Sequence, residues 1–346
     1  MRHAVLNGLL LAISFTSGEL VAADASPISR DPRLVIELFA ADPDIVTPTG
    51  LDGDHVGRVF AIESNTHFPP EGYDRHPTDR LLVLRDLDGD GVSEKPVVFA
   101  DGFVHAMSVA VRTSPDPAQP DTVLLATRKE VIALWDDDGD LVADRRRRIL
   151  HLDTPGTYPH NGLAGFAFDA NGHMFIGLGE NLGAKYKLVG SDTTTLSGGG
   201  EGGSIYRCRL DGSHLQRFAT GFWNPHANCV DAFGRLFSVD NDPDSLPPCR
   251  LMHIVAGGDY GYRFRNGRKG FHPFTSWNGE IPGTLPMLAG TGEAPSGIVA
   301  YESDGLPDEY VGNLLVTSWG DHRIDRFRLI ERGASFESVA EVLIQG

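Results

Sequence analysis

A short element recurs four times along this 346-residue chain: Gly57-Arg58-Val59-Phe60, Gly172-His173-Met174-Phe175, Gly234-Arg235-Leu236-Phe237 and Gly312-Asn313-Leu314-Leu315. Each copy follows an acidic residue by three positions: Asp54, Asp169, Asp231 and Glu309. An acid and a glycine at that spacing make a tight turn, and the apolar run after it reads as a short strand buried on both faces. Thr122-Val123-Leu124-Leu125-Ala126 is a degenerate fifth copy. A second element closes each unit: Phe99-Ala100-Asp101-Gly102-Phe103, Phe218-Ala219-Thr220-Gly221-Phe222 and, more loosely, Leu343-Ile344-Gln345-Gly346. Helical periodicity is almost absent. Serial all-β units point to a propeller, with about four strands per blade around a channel. The units begin near residues 47, 103, 160, 223 and 295. The expected fold is therefore an all-β, six-bladed β-propeller with about five blades present and the last truncated. Leu34 to Ala40 is left over as a strand that could join the two chain ends.

Composition narrows the function. With 41 glycines and 22 prolines the chain is rich in turn formers, and 41% hydrophobic residues suffice for a core. A net charge of −17 repels phosphate backbones and anionic lipid, so no nucleic acid partner is expected. The one basic run, Arg145 to Arg148, follows an acidic cluster and reads as a solvated strand edge. Residues 1–23 read as a secretory signal: a weakly basic start, an apolar core from Val5 to Phe15, and Val21-Ala22-Ala23 as cleavage site. The propeller then occupies residues 24–346, in a periplasmic or extracellular compartment, with no transmembrane span expected. Cys208, Cys229 and Cys249 permit one disulfide, Cys229 with Cys249 being favoured, or three buried thiols. No Cys-x-x-Cys-His haem site is present.

Polar residues follow the recurring strands, whose expected place is along the channel: Glu63 and Asn65, Glu180 and Asn181, Asp240 to Asp242, and Asp321. Carboxylates converging on one axis suit a hard cation or polar ligand. Two further acidic loops lie elsewhere in the chain, Asp86-Leu87-Asp88-Gly89-Asp90-Gly91 with Glu94, and Asp136-Asp137-Asp138-Gly139-Asp140-Leu141 with Asp144. Both carry the alternating acids of a calcium loop, and their oxygen-only donors fit calcium. Asp86, Asp88, Asp90, Glu94, Asp136, Asp138, Asp140 and Asp144 are the candidate ligands, with a structural role in pinning a hairpin. Gly91 stands where the loop turns sharply; the second loop has Leu141 there.

Tyr158-Pro159-His160-Asn161-Gly162, Phe166-Ala167-Phe168-Asp169, Gly177-Leu178-Gly179-Glu180-Asn181, Asn224-Pro225, Gly257-Gly258-Asp259-Tyr260-Gly261 and the run Gly312 to Arg328, with Trp319 and Arg323, occur in one order. This set resembles the soluble quinone-dependent glucose and sorbosone dehydrogenase propellers. More closely it resembles the membrane-bound dehydrogenase branch of PVC type, whose members carry helical repeats and a c-type haem domain after the propeller. The resemblance implies His160 as general base, taking a substrate hydroxyl proton while hydride passes to pyrroloquinoline quinone. It implies calcium held by the loop Asp240-Asn241-Asp242-Pro243, cofactor contacts from Trp223, Asn224 and Arg323, and a c-type cytochrome as electron acceptor. One departure stands out, since Trp223 occupies a position where those dehydrogenases have an arginine. His105 and His226 are secondary candidates on the same face. Two other functions fit the residues. A noncatalytic carbohydrate- or protein-binding propeller could use Trp223 as a stacking platform, and a metal-dependent lactonase or esterase could use Glu63, Asn224 and Asp240 as ligands. The substrate expected in each case is a small polar molecule, a sugar or another alcohol.

Overall fold

The computed structural model describes residues 26–346, so the expected signal peptide lies outside the described residues. The first strand, β1 (Ile28–Ser29), finds its partner only at the end of the chain. Blade 1 is β2 (Pro48–Gly53), β3 (Val59–Glu63), β4 (Asp79–Leu84) and β5 (Val97–Phe103). Blade 2 continues with β6 (Ala106–Arg112), β7 (Thr122–Thr127), β8 (Glu130–Trp135) and β9 (Arg145–Asp153). Blade 3 begins with β10 (Leu163–Phe168) and β11 (His173–Leu178). A hairpin, β12 (Tyr186–Gly190) and β13 (Thr195–Gly198), then leaves its own blade and pairs β12 on β9, widening blade 2 to six strands. β14 (Gly203–Arg209) and β15 (Gln216–Phe222) return to blade 3. Blade 4 holds β16 (Asn224–Val230), β17 (Leu236–Asn241) and β18 (Arg250–Ile254); β19 (Gly258–Asp259) adds to β15 and β20 (Ala289–Gly290) to β18. Blade 5 is β21 (Pro295–Ala300), β22 (Leu314–Ser318), β23 (Arg323–Arg332) and β24 (Ser335–Gln345), with β1 on its outer edge.

The recurring element is the second strand of each blade, β3, β11, β17 and β22, with the degenerate copy in β7. It is not the expected channel strand. The channel strands are β2, β6, β10, β16 and β21, which pack on one another in that order around the axis. β11 and β17 are sandwiched between blades, and β3 between blade 2 and the segment that precedes β2, which is why almost every residue of these strands is buried. The acid of the turn works the same way in three copies. Asp54 accepts the backbone N–H groups of Val56 and Arg58, Asp169 those of Asn171 and His173, and Asp231 those of Phe233 and Arg235. Gly57, Gly172 and Gly234 then take φ values of 87°, 78° and 79°, which a Cβ would disfavour. The fourth copy differs: Glu309 pairs with Arg33, and the Asn313 amide bonds the Glu309 carbonyl instead.

Apolar cores fill the spaces between consecutive blades, from Phe60, Ile62, Leu125 and Leu134 between blades 1 and 2 to Phe237, Leu251, Leu314 and Val316 between blades 4 and 5. Blade 1's remaining face is covered differently. Phe39, Ala40 and Ile45 of the leading segment pack on Ala61, Leu82 and Leu84. Residues 30–47 thus run from blade 5, through Asp31 to Tyr310 and Arg33 to Glu309, across to blade 1, where Phe39 O accepts Ser93 N–H. Leu34 to Ala40 is this strap rather than the expected joining strand; Ile28–Ser29 joins the ends, against Ile344 and Gln345.

Candidate functional site at the channel mouth

Blades 1 to 4 each send two connections to the same end of the disc, that between the second and third strands and the link from the last strand to the next channel strand, and blade 5 sends the first of these. At that end each of the five channel strands carries a β-bulge near its start, skipping Thr49, Met107, Gly165, His226 and Ser296. Bulges re-aim side chains, and these sit at the rim of the channel.

Two buried aspartates fix the rim. Asp79, fully buried, accepts N–H from Asn65, Thr66 and Ala106 and the Thr66 hydroxyl, while Thr66 Oγ1 in turn accepts His105 N–H. His105 is thereby held at φ 53°. Asp240 does the same for blade 4, accepting Trp223 and Asn224 N–H, with its other oxygen 2.5 Å from a guanidinium nitrogen of Arg250. Both members of that ion pair are completely buried, and Arg250 also donates to three carbonyls and lies 3.6 Å over the Trp277 ring. Asp240 is therefore engaged with an arginine and separated in role from Asp242. Glu63 is likewise engaged, by Arg80 and Asn65, and the Asn224 amide donates to His160 O.

Four of the thirteen histidines gather at this mouth. His67 Nε2 lies 3.0 Å from His160 Nδ1, and the His67 ring meets His105 edge to face at 6.0 Å. His226, in the bulge of β16, has a buried Nδ1 without a partner. Burial lowers the pKa of His67, helped by the charge of His160 and His105. Burial also lowers that of His160, with Arg268 acting the same way and Asp244 opposing. The shift favours the neutral imidazole of His160, which is exposed at the mouth.

Next to the histidines, Tyr158 packs on Trp223, whose ring is 2% exposed, so Trp223 is a floor rather than an open stacking platform. Arg268 lies 5.3 Å over that ring and pairs with Asp244. The cation absent beside Asn224 in sequence is thus supplied in space from the long connection between β19 and β20, where no periodicity announces it. Arg323 stands farther round the rim, bonded to Asp325 and 3.4 Å from Asp321. Between them Asp242, Cys249 and Glu293 bring their ligand atoms within 4.8 Å of one another. Burial and then the Asp242 charge raise the pKa of Glu293, and burial pushes the Cys249 thiol up to about 12. Cys208, Cys229 and Cys249 are all free and buried, so the favoured Cys229 to Cys249 disulfide gives way to three separate thiols.

The two acidic loops lie at the opposite end, β4 to β5 and β8 to β9. Asp86, Asp88 and Asp90 converge in the first, and Asp136, Asp138 and Asp144 in the second. Glu94 uses both oxygens on Leu87 N–H, and Asp140 accepts Val142 N–H as Asp90 accepts Val92 N–H. Leu141 adopts φ 69°, close to the 87° of Gly91, so the leucine does not change the loop's path.

A family model described as Domain of unknown function (DUF7133) matches residues 23–342. No curated protein sequence matches the chain. Among solved structures, a putative glucose dehydrogenase-type oxidoreductase from Thermus thermophilus aligns with TM-score 0.60 at 17% identity, covering 87% of this chain and 85% of its own. The pyrroloquinoline quinone-bound aldose sugar dehydrogenase of Streptomyces coelicolor aligns with TM-score 0.60 at 16% identity, over 92% and 85%. A calcium-containing structure of a Trichoderma reesei carbohydrate-active enzyme of family AA12 gives 0.60 at 12%, over 94% and 89%. These likenesses establish the propeller fold. No helix among the described residues is long and apolar enough to cross a membrane.

Proposed function

The chain belongs to the family described as Domain of unknown function (DUF7133), and from its fold and channel mouth we propose that it is an exported sugar or alcohol dehydrogenase with His160 as general base. The observation that carries this is the placement of His160: an exposed imidazole at the mouth with its Nδ1 3.0 Å from His67 Nε2, leaving Nε2 as the nitrogen available to a substrate hydroxyl, while burial lowers its pKa and favours the neutral ring.

The donor chemistry of the mouth fits a quinone carrying carboxylates together with calcium. Arg268 and Arg323 are the guanidinium groups that would face carboxylates, and Asn224 borders the same space. Asp242 and Glu293 are oxygen donors whose mutual repulsion a cation relieves. When bound, pyrroloquinoline quinone supplies the two-electron acceptor for the hydride leaving the substrate carbon. The chain's own part is to hold the sugar beside Phe68 and Tyr158, which flank His160 at ring distances of 5.2 Å, and to take the hydroxyl proton on Nε2. An external acceptor is then required, for which a c-type cytochrome is the expected partner. The hydrolase reading is weaker, because Glu63 and Asp240 of its ligand set are held by Arg80 and Arg250.

Purified protein supplied with calcium, pyrroloquinoline quinone and an artificial electron acceptor is expected to oxidise aldoses, and His160→Ala to lower kcat by about 10²- to 10⁴-fold, the usual contribution of a general base. Absence of quinone binding by difference spectroscopy at millimolar calcium would overturn this reading and favour a noncatalytic sugar-binding propeller.

A further inference from the structure

We propose that His67 is the positioning partner of His160: its Nε2 accepts a hydrogen bond from His160 Nδ1–H, which fixes the tautomer that leaves the Nε2 lone pair of His160 directed to substrate. This rests on the dehydrogenase reading for its purpose, though the pairing itself does not.

A histidine can act as base through Nε2 only if its proton resides on Nδ1, and that proton needs an acceptor. In most catalytic arrangements the acceptor is a carboxylate. Here the hydrogen-bond partner of His160 Nδ1 is His67 Nε2, at 3.0 Å, with the two rings 4.7 Å apart and inclined at 66°. The partner comes from another blade, 93 residues away in the chain.

Its placement is built into the framework. Asn65 N–H and Thr66 N–H both end on the fully buried Asp79, and the Thr66 hydroxyl sits between Asp79 and His105 N–H. The backbone immediately before His67 is thus tied to blade 1's third strand and to the start of blade 2. Phe68, in the left-handed region at φ 51°, turns the chain back behind the ring and touches both His67 and His160.

The charged and titratable groups around the pair are few. His67 faces His160, His105, His226 and, through the framework, Asp79; His160 faces Asp244 and Arg268 besides His67. Burial and then the neighbouring imidazoles lower the pKa of His67 against the opposing Asp79, which favours the neutral ring that can accept a hydrogen bond. When Nε2 of His160 takes the substrate proton, the imidazolium keeps its Nδ1 proton directed at His67 Nε2. No other atom has to move, and the charge is shared across one hydrogen bond. A neutral acceptor stabilises that imidazolium less than a carboxylate would, which keeps His160 a weak base suited to mildly acidic or neutral conditions.

The test is nitrogen-15 NMR of histidine-labelled full-length protein, read with and without turnover. In the wild type His160 should carry its proton on Nδ1. In His67→Ala it should shift to the Nε2-protonated form that predominates in free histidine, and kcat should fall about tenfold or more with little change in KM and a displaced acid limb of the pH profile. His67→Gln, whose amide oxygen can accept the same proton, should restore the tautomer and part of kcat. An unchanged His160 tautomer in His67→Ala overturns the proposal, whatever happens to activity. A changed tautomer in a protein that oxidises no sugar leaves the pairing standing and removes the dehydrogenase reading instead.

Discussion

The two ends of the disc use acidic residues in opposite ways. At the mouth, Asp79 and Asp240 are completely buried; Asp79 gathers backbone N–H groups from blades 1 and 2, and Asp240 those of Trp223 and Asn224 at the entry to blade 4. At the far end, Asp86, Asp88 and Asp90 are exposed, and they bond only to N–H groups within their own loop. The first kind of carboxylate defines where functional side chains stand; the second shapes a turn that would fold much the same way without the rest of the protein. Local acids are therefore expected to be replaceable at small cost and framework acids at large cost.

The largest difference should appear at Arg250. Removing it strands Asp240 in an apolar interior, and Arg250→Ala is expected to destabilise by ~3–5 kcal/mol, the usual result of breaking one side of a buried pair. Urea denaturation measures this directly; a loss below about 1 kcal/mol would mean that water reaches Asp240 and that the framework description of the mouth is wrong.

Calcium tests the other end. If the exposed trios take up the ion, saturating calcium at a hundredfold above Kd adds about 2.7 kcal/mol, visible as a higher unfolding midpoint that chelator abolishes. Asp88→Asn should diminish that gain more than Asp138→Asn. Equal effects would indicate that the shared backbone path of Gly91 and Leu141, rather than residue identity, governs the two loops. A midpoint indifferent to chelator removes calcium from this face.

A smaller contrast lies in pH. At the mouth, His67, His160 and His226 have folded pKa values below the ordinary 6.5, with burial as the main cause in each. The unfolded chain therefore binds protons first, and stability, complete above pH 6.5, declines as pH falls below it. Backbone N–H groups of Gly91 and Gly89 hold Asp86 below the usual carboxylate range, so its contribution is lost only as pH falls below about 4. Denaturation midpoints between about pH 7.5 and 3 should fall in two stages, and His226→Gln should flatten the upper one alone.

The same contrast explains what was legible in sequence. Units expected near 47, 103, 160, 223 and 295 correspond to channel strands starting at Pro48, Ala106, Leu163, Asn224 and Pro295, because turn chemistry recurs locally. Which strand of the unit lines the channel is not legible in the same way, since burial on both faces suits either a channel strand or one sandwiched between blades. Asp240 reads as a ligand in sequence because nothing in its own loop names Arg250, which arrives from the next strand. His67 and Arg268 lie in connections without periodicity and reach the mouth only through tertiary packing. The pair of histidines at Asn65-Thr66-His67 and Val104-His105, each just past a strand end, was the available hint.

The register of β12 on β9 has a consequence for how the molecule behaves in a crowded solution. β12 covers only Leu150 to Asp153, leaving the Arg145–Arg148 half of β9 as open edge. Those four arginines are exposed, with Arg145 anchored on Asp137 and Arg148 on Glu130. An unpaired strand is a template for another copy's strand, and a row of like charges makes such a pairing repel itself. The basic run in an otherwise acidic protein thus acts as a guard against self-association, at the one stretch of β9 that the borrowed hairpin does not reach.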